Sequence, residues 1–231
     1  SFTSAGLAGQ TFQLEKMKVI FLALIAIHST IALEDCPYKT AQSWIDQVAK
    51  RFPDDMDREL REFEGFNYPN GSQWGVLIGV NPNMTGKQLF WNVPVIRVDG
   101  VAMYCTTVNQ RSGFQYFLFQ QNNGTVTDKG LLQNTPKDKG VRRCQTKSIG
   151  DQIEASADKY PNNVHNQMSD IQQNLYNQTG YNGWGVFIVT DETLVPDQVG
   201  WEMTYVREQG YCEKVYNDWQ YNVISVITKT K

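Results

Sequence analysis

The chain has 231 residues, a formal net charge of −3, 19% charged residues and 12% aromatic residues. That aromatic content excludes a chain disordered by composition, and the near-neutral charge leaves no electrostatic footprint for nucleic acid or an anionic membrane. With two histidines and four cysteines, the commonest catalytic and metal-ligating side chains are scarce.

Residues 1–16 carry no structural pattern and are expected to be an upstream extension ahead of Met17. Met17-Lys18, the apolar run Val19–Ile27 and the small-x-small exit Thr30-Ile31-Ala32 have the form of a secretory signal over residues 17–32. The apolar run stops at His28, short of the ~20 residues a membrane-spanning helix needs. The mature chain is therefore expected to be secreted and extracellular, with no membrane span after signal removal and a formal charge of −4.

Beyond the signal the sequence reads as one unit written twice. At an offset of 108 residues, Ile45 falls on Ile153, Ala49 on Ala157, Phe52-Pro53 on Tyr160-Pro161, Met56 on Val164 and Leu60 on Met168. Further on, Trp74-Gly75-Val76 falls on Trp184-Gly185-Val186 and Tyr104-Cys105 on Tyr211-Cys212. This repeat sets the expected boundaries: a first copy over 33–127, a linker over 128–143 and a second copy over 144–231. Four cysteines allow three pairings. In an oxidising compartment the repeat favours Cys36–Cys105 and Cys144–Cys212, whose separations, 69 and 68 residues, are nearly equal.

Each copy opens with helical spacing. In the first, Trp44, Ile45, Val48, Ala49 and Phe52 precede Pro53, and Met56, Leu60 and Phe63 follow. In the second, Ile149, Ile153, Ala157 and Tyr160 precede Pro161, and Val164, Met168, Ile171 and Leu175 follow. A proline at that place starts a second helix or kinks a single long one. The period then becomes strand-like. Strands are expected at Trp74–Val80, Val93–Val98, Val101–Val108 and Phe114–Phe119, and at Trp184–Thr190, Trp201–Arg207, Tyr211–Tyr216 and Tyr221–Thr228. Asp99-Gly100 marks a tight hairpin between two of them. The predicted fold is α+β: two tandem duplicated domains, each with two N-terminal helices, or one kinked helix, packed on a four-stranded antiparallel sheet. The helix-then-meander order is similar in topology to cystatins and to dynein light chains. The cystatin inhibitory segment needs Gln-x-Val-x-Gly, and Gln198-Val199-Gly200 lacks both spacers.

Sequons place N-glycosylation at Asn70, Asn83, Asn123 and Asn177, all in segments expected to be loops. Catalytic residues are not found. His165 is the one histidine after the signal, and it falls on a helix surface with no nucleophile motif beside it. Neither a cofactor motif nor metal-ligand spacing is found. Asp54, Asp55, Asp57, Glu59, Glu62 and Glu64 crowd the second helix of the first copy, where the second copy has Asn162, Asn163, His165, Gln167, Asp170 and Gln172. This face is expected to be solvated. Asp54, Asp55 and Asp57 are retained as candidate partner-binding residues. Trp91 and Trp219 join them because they lack aromatic counterparts in the other copy, whereas Trp74 and Trp184 are expected in the cores.

The expected function is a secreted, N-glycosylated, disulfide-stabilised binding or interaction protein without catalytic activity. Its partner would be an extracellular protein or glycan, not nucleic acid. Two alternatives stand beside it. One is an extracellular matrix, coat or filament component that self-assembles through sheet edges; the other is a secreted hydrolase working through carboxylates.

Overall fold

The computed structural model describes residues 34–63, 73–94, 97–98, 100–121, 144, 146–203 and 210–226. The signal segment 17–32, the residues before it and the expected linker 128–143 lie outside these, as do Asn70 and Asn123. The described residues belong to one compact unit spanning 33–231.

Proline separates two helices in each half and does not kink one. Helix α1 (Lys39–Arg51) ends at Phe52, Pro53 lies in the turn, and α2 (Met56–Phe63) follows. Asp55 opens α2 by accepting the Arg58 N–H at 3.1 Å, which satisfies a donor that the first turn leaves free. In the second half α3 (Lys147–Lys159) ends at Tyr160, and Asn163 caps α4 (Val164–Thr179) through the Asn166 N–H. Gly180 closes α4 in the left-handed conformation, φ 67°, which is strained for most side chains. An ion pair ties the helices together in each half, Arg51 to Glu62 at 2.6 Å and Lys159 to Asp170 at 2.7 Å.

The strands are β1 (Gln73–Gly79), β2 (Leu89–Asn92), β3 (Arg97–Val98), β4 (Val101–Ala102), β5 (Tyr104–Val108) and β6 (Gln115–Gln121). After the second helix pair come β7 (Trp184–Val189), β8 (Val199–Met203), β9 (Tyr211–Tyr216) and β10 (Trp219–Ser225). They form two four-stranded antiparallel sheets, ordered β5-β6-β1-β8 and β2-β7-β10-β9, and a small β3-β4 ribbon around Gly100. The self-contained sheet expected of each copy does not form. Three strands of each sheet come from one half of the chain and the fourth from the other. Strand β8 pairs with β1, Leu77 opposite Trp201, and β2 pairs with β7, Trp91 opposite Phe187. The exchange follows a short 3₁₀ turn after the first strand of each half. Asn81 caps Pro82–Met84 and Asp191 caps Glu192–Leu194, each through its side chain.

Side-chain alternation gives each sheet two buried faces. Trp74, Val76, Ile78, Tyr116 and Leu118 face α1 and α2, with Ile45, Val48, Leu60 and Phe63. Trp184, Val186, Ile188, Tyr221 and Val223 face α3 and α4 in the same way. The opposite faces meet between the sheets. There Trp91 stacks on Phe117 with centroids 5.2 Å apart, and Phe187 meets Trp201 edge-on at 5.8 Å. Strands buried on both faces explain why the sequence alternation is weak over most of them.

The disulfides join Cys36 to Cys105 and Cys144 to Cys212, as expected, each within one half. Among the described residues no cysteine is free. In the chain-entropy account a bridge closing a loop of this size contributes about 4 kcal/mol. Replacing Cys36 and Cys105 together by Ala is therefore expected to lower the free energy of unfolding by about that amount. Urea denaturation without reductant measures it, and an unchanged midpoint would contradict it.

Candidate binding groove along an exchanged strand

Strand β8 is an edge strand, bonded on one side to β1. Val80 N–H donates to the Gln198 carbonyl at 2.9 Å. Antiparallel geometry then sets the hydrogen-bonded pairs at even-numbered residues of β8 and turns the backbone groups of Val199, Trp201 and Met203 outward. The Met203 N–H reaches the Glu202 carboxylate at 3.2 Å. Among the described residues, no strand lies beyond Val199 and Trp201. Two other edges are covered in part. Asp35 bridges Thr106 on the outer side of β5, with N···O distances of 2.8 and 2.9 Å. At β2, the outward Leu89 carbonyl accepts the Gly86 N–H at 2.9 Å, while Gln172 of α4 closes the end of the ladder by donating to the Asn92 carbonyl at 3.0 Å.

A groove of about 560 Å³ runs along the outer edge of β8. One wall is α2, which contributes Asp57, Leu60 and Arg61; the β8 side supplies Val195-Pro196 and Val199–Glu202, and Glu213 of β9 completes the lining. Gly200 lets the helix close on the strand, because a Cβ there would lie 2.7 Å from Leu60 Cδ1 and 3.0 Å from Met56 Cε. The lining therefore combines a sheet edge, an apolar strip of Leu60, Pro196 and Trp201, and three carboxylates against one guanidinium. Glu213 is 8% exposed, and its Oε2 accepts from the Tyr211 hydroxyl at 3.1 Å, which also reaches Asn222 Oδ1 at 3.2 Å. A second, polar cleft of about 640 Å³ lies between α1 and the end of β5. Two of its lining side chains already bond each other, Asn109 Nδ2 to Asp46 Oδ1 at 2.9 Å.

The sequence-predicted residues separate. Asp57 is exposed and lines the groove. Asp55 caps α2 and holds Arg58 at 3.1 Å. Asp54 is exposed in the turn between the helices. Trp91 is 7% exposed, stacked between the sheets. Trp219 is half-buried on β10 and stacks on Tyr221 at 6.3 Å. The groove tryptophan is Trp201, which sequence reasoning passed over because its burial depends on which sheet β8 joins. Asn83 is exposed in a 3₁₀ turn. Asn177 is not in a loop as expected but in the last turn of α4, exposed, and its sequon hydroxyl, Thr179 Oγ1, bonds the Leu175 carbonyl at 2.7 Å inside the core.

The charged face of α2 needs a correction. Glu59 is not solvated; it is 0% exposed. The spacing shows why: Met56, Glu59, Leu60 and Phe63 fall on one helical stripe. The Tyr116 hydroxyl donates to Glu59 Oε2 at 2.6 Å, and Ser112 Oγ lies 2.9 Å from the same hydroxyl. Burial pushes the Glu59 carboxyl up to about 7, opposed by the Tyr116 hydrogen bond and aided by the nearby Asp55 charge. Burial, and then the Glu59 contact, also push the Tyr116 phenol above its ordinary value.

Among the described residues, no helix is long and apolar enough to cross a membrane, and no group of three His, Cys, Asp or Glu side chains is placed to hold a metal ion. No family model, curated protein or solved structure matches the chain.

Proposed function

We propose that the protein is a secreted, N-glycosylated binding protein that acts without catalysis, and that its groove takes an extended, basic segment of a partner protein as an added strand on β8. The observation that carries this reading is the outward backbone of Val199 and Trp201 beside a groove wall already supplied by α2. An edge strand with exposed N–H and C=O groups is a template for main-chain pairing. Leu60, Pro196 and Trp201 offer apolar contact to alternate side chains of such a segment. Asp57, Glu202 and Glu213 against Arg61 favour lysine or arginine on it. The two disulfides suit an oxidising, extracellular setting. The reading carries with it an origin of the chain by duplication, in which the two halves diverged in what lies beside the exchanged strands: the α2 groove at β8, and the Gly86 turn at β2.

A panel of ten-residue peptides, basic against acidic, tests this through the change in tryptophan fluorescence on titration. Basic peptides are expected to bind. Val199→Pro, which removes an outward N–H and leaves the ladder to β1 intact, should weaken them, and Glu202→Lys should weaken them by about tenfold. Equal binding of acidic peptides, or binding indifferent to both changes, contradicts the groove. Large assemblies of the pure chain in light scattering would favour self-pairing of this edge, as in a coat or filament component. Turnover of a substrate, lost when one carboxylate is changed, would favour the hydrolase.

A further inference from the structure

The two halves build the same buried contact with different residues. In the second half, Gln167 stands where the first has Glu59. Gln167 makes two bonds: its Oε1 accepts from the Tyr221 hydroxyl at 2.9 Å, and its Nε2 donates to the Tyr160 carbonyl at 2.9 Å. Glu59 makes the first of these with Tyr116, but among the described residues its Oε1 has no partner. The carbonyl that would correspond to Tyr160 is that of Phe52, and the two turns match. Phe52 has φ −137° and ψ 57° and accepts from Asp55 N–H at 3.2 Å; Tyr160 has φ −129° and ψ 58° and accepts from Asn163 N–H at 3.1 Å. A carbonyl has two lone pairs, so one remains at Phe52. A carboxylate cannot donate to it; a carboxylic acid can, and it then presents the same pattern as glutamine, one acceptor and one donor.

We infer that Glu59 is a built-in proton site: the folded chain holds it as the neutral acid, with Oε1–H directed at the Phe52 carbonyl, and its ionisation weakens the packing of α1 and α2 on the first sheet. Among the described residues the surroundings supply no compensating cation. On β6 the facing group is Tyr116, a donor that stays neutral. Asp55, at the start of α2 itself, adds negative charge, and Asp46 on α1 acts in the same sense on Tyr116. Arg51 of α1 is engaged at the surface with Glu62, and Arg58 with Asp55. Strand β1 has no titratable residue, and Glu202 of β8 is a further acid. With a folded value of about 7 against an ordinary 4.5, the folded state binds this proton where the unfolded chain has lost it. Stability is therefore highest below the unfolded value, falls as pH rises through the window between the two, and levels off above the folded one. The inference does not depend on the groove.

The test is the unfolding equilibrium in urea at pH 5 and pH 8 for the whole chain with its disulfides intact, joined to a ¹³C titration of the Glu59 carboxyl. The wild-type unfolding constant is expected to rise on the order of 50-fold from pH 5 to pH 8 through this group. Glu59→Gln should abolish that rise, since it reproduces the Gln167 pattern. Gln167→Glu should add a second rise in the same window. A carboxyl that titrates near its ordinary value overturns the inference, as does a Glu59→Gln chain that keeps the full rise. If a variant fails to fold, the ¹³C titration of the wild type decides alone.

Discussion

A chain cut once between Thr127 and Cys144 is expected to remain a single species in solution. Both disulfides lie within a half, so after such a cut no covalent bond joins the two. What holds them is the exchange of strands. The first half lends β2 to the second sheet and the second lends β8 to the first. Between the sheets lie Leu77, Phe117, Phe119, Phe187, Val189 and Met203, each 3% exposed or less. Separating the halves would open that face and strip each sheet of a strand. Burying one such side chain is worth roughly 1.5–3 kcal/mol, so the shared face outweighs the entropy lost in holding two fragments together. A protease site placed in this stretch, followed by gel filtration, measures the result: one peak of unchanged volume under native conditions, two fragments when denatured. Residues 33–127 and 144–231 expressed alone should not give folded monomers, because each lacks its fourth strand, and mixing them during refolding should restore the native peak. Two stable monomers would mean that each half closes its own sheet, and would return the architecture to the independent domains that the repeat suggested.

The contrast between repeat and exchange marks where the sequence was legible. Helices were legible because their apolar stripes, such as Ile45, Val48, Ala49 and Val164, Met168, Ile171, obey one local period. The disulfides were legible because the repeat singles out one pairing from three. Strand direction and the turn at Gly100 were legible for the same local reason. Strand partnership was not. Leu89–Asn92 and Val199–Met203 carry no mark of which sheet they join, since pairing is decided by long-range geometry after a short 3₁₀ turn. The groove was invisible for that reason: it exists where α2 of the first half meets β8 of the second. Glu59 is the opposite case. Its place on the stripe of Met56, Leu60 and Phe63 was readable by counting. A helix crowded with acids drew attention to charge, and away from position.

Trp74→Ala is expected to destabilise the protein by about 3–5 kcal/mol, the range for removing a large aromatic side chain from a packed core. Trp74 is 4% exposed and begins the helix-facing row of β1. Tyr38 stacks on it with centroids 5.6 Å apart, and Trp44 meets it edge-on at 5.3 Å. The three rings sit next to Cys36 and Cys105 in the same core, which limits how far the backbone can move to refill the space. Trp184 holds the corresponding place in the second half, 1% exposed, with Tyr181 edge-on at 6.2 Å and its Nε1 donating to Thr179 at 3.2 Å. Its replacement should cost as much or slightly more, because the hydrogen bond is lost as well and Thr179 keeps its place in the core. Trp219 provides the comparison. It is half-buried at the margin of the second core, and Trp219→Ala should lose clearly less, since part of its ring already faces water. Urea midpoints of the three variants at one pH give the order directly. Equal losses at Trp74 and Trp219, or an unchanged midpoint for Trp74→Ala, would remove Trp74 from the core and make it a surface aromatic available to a partner.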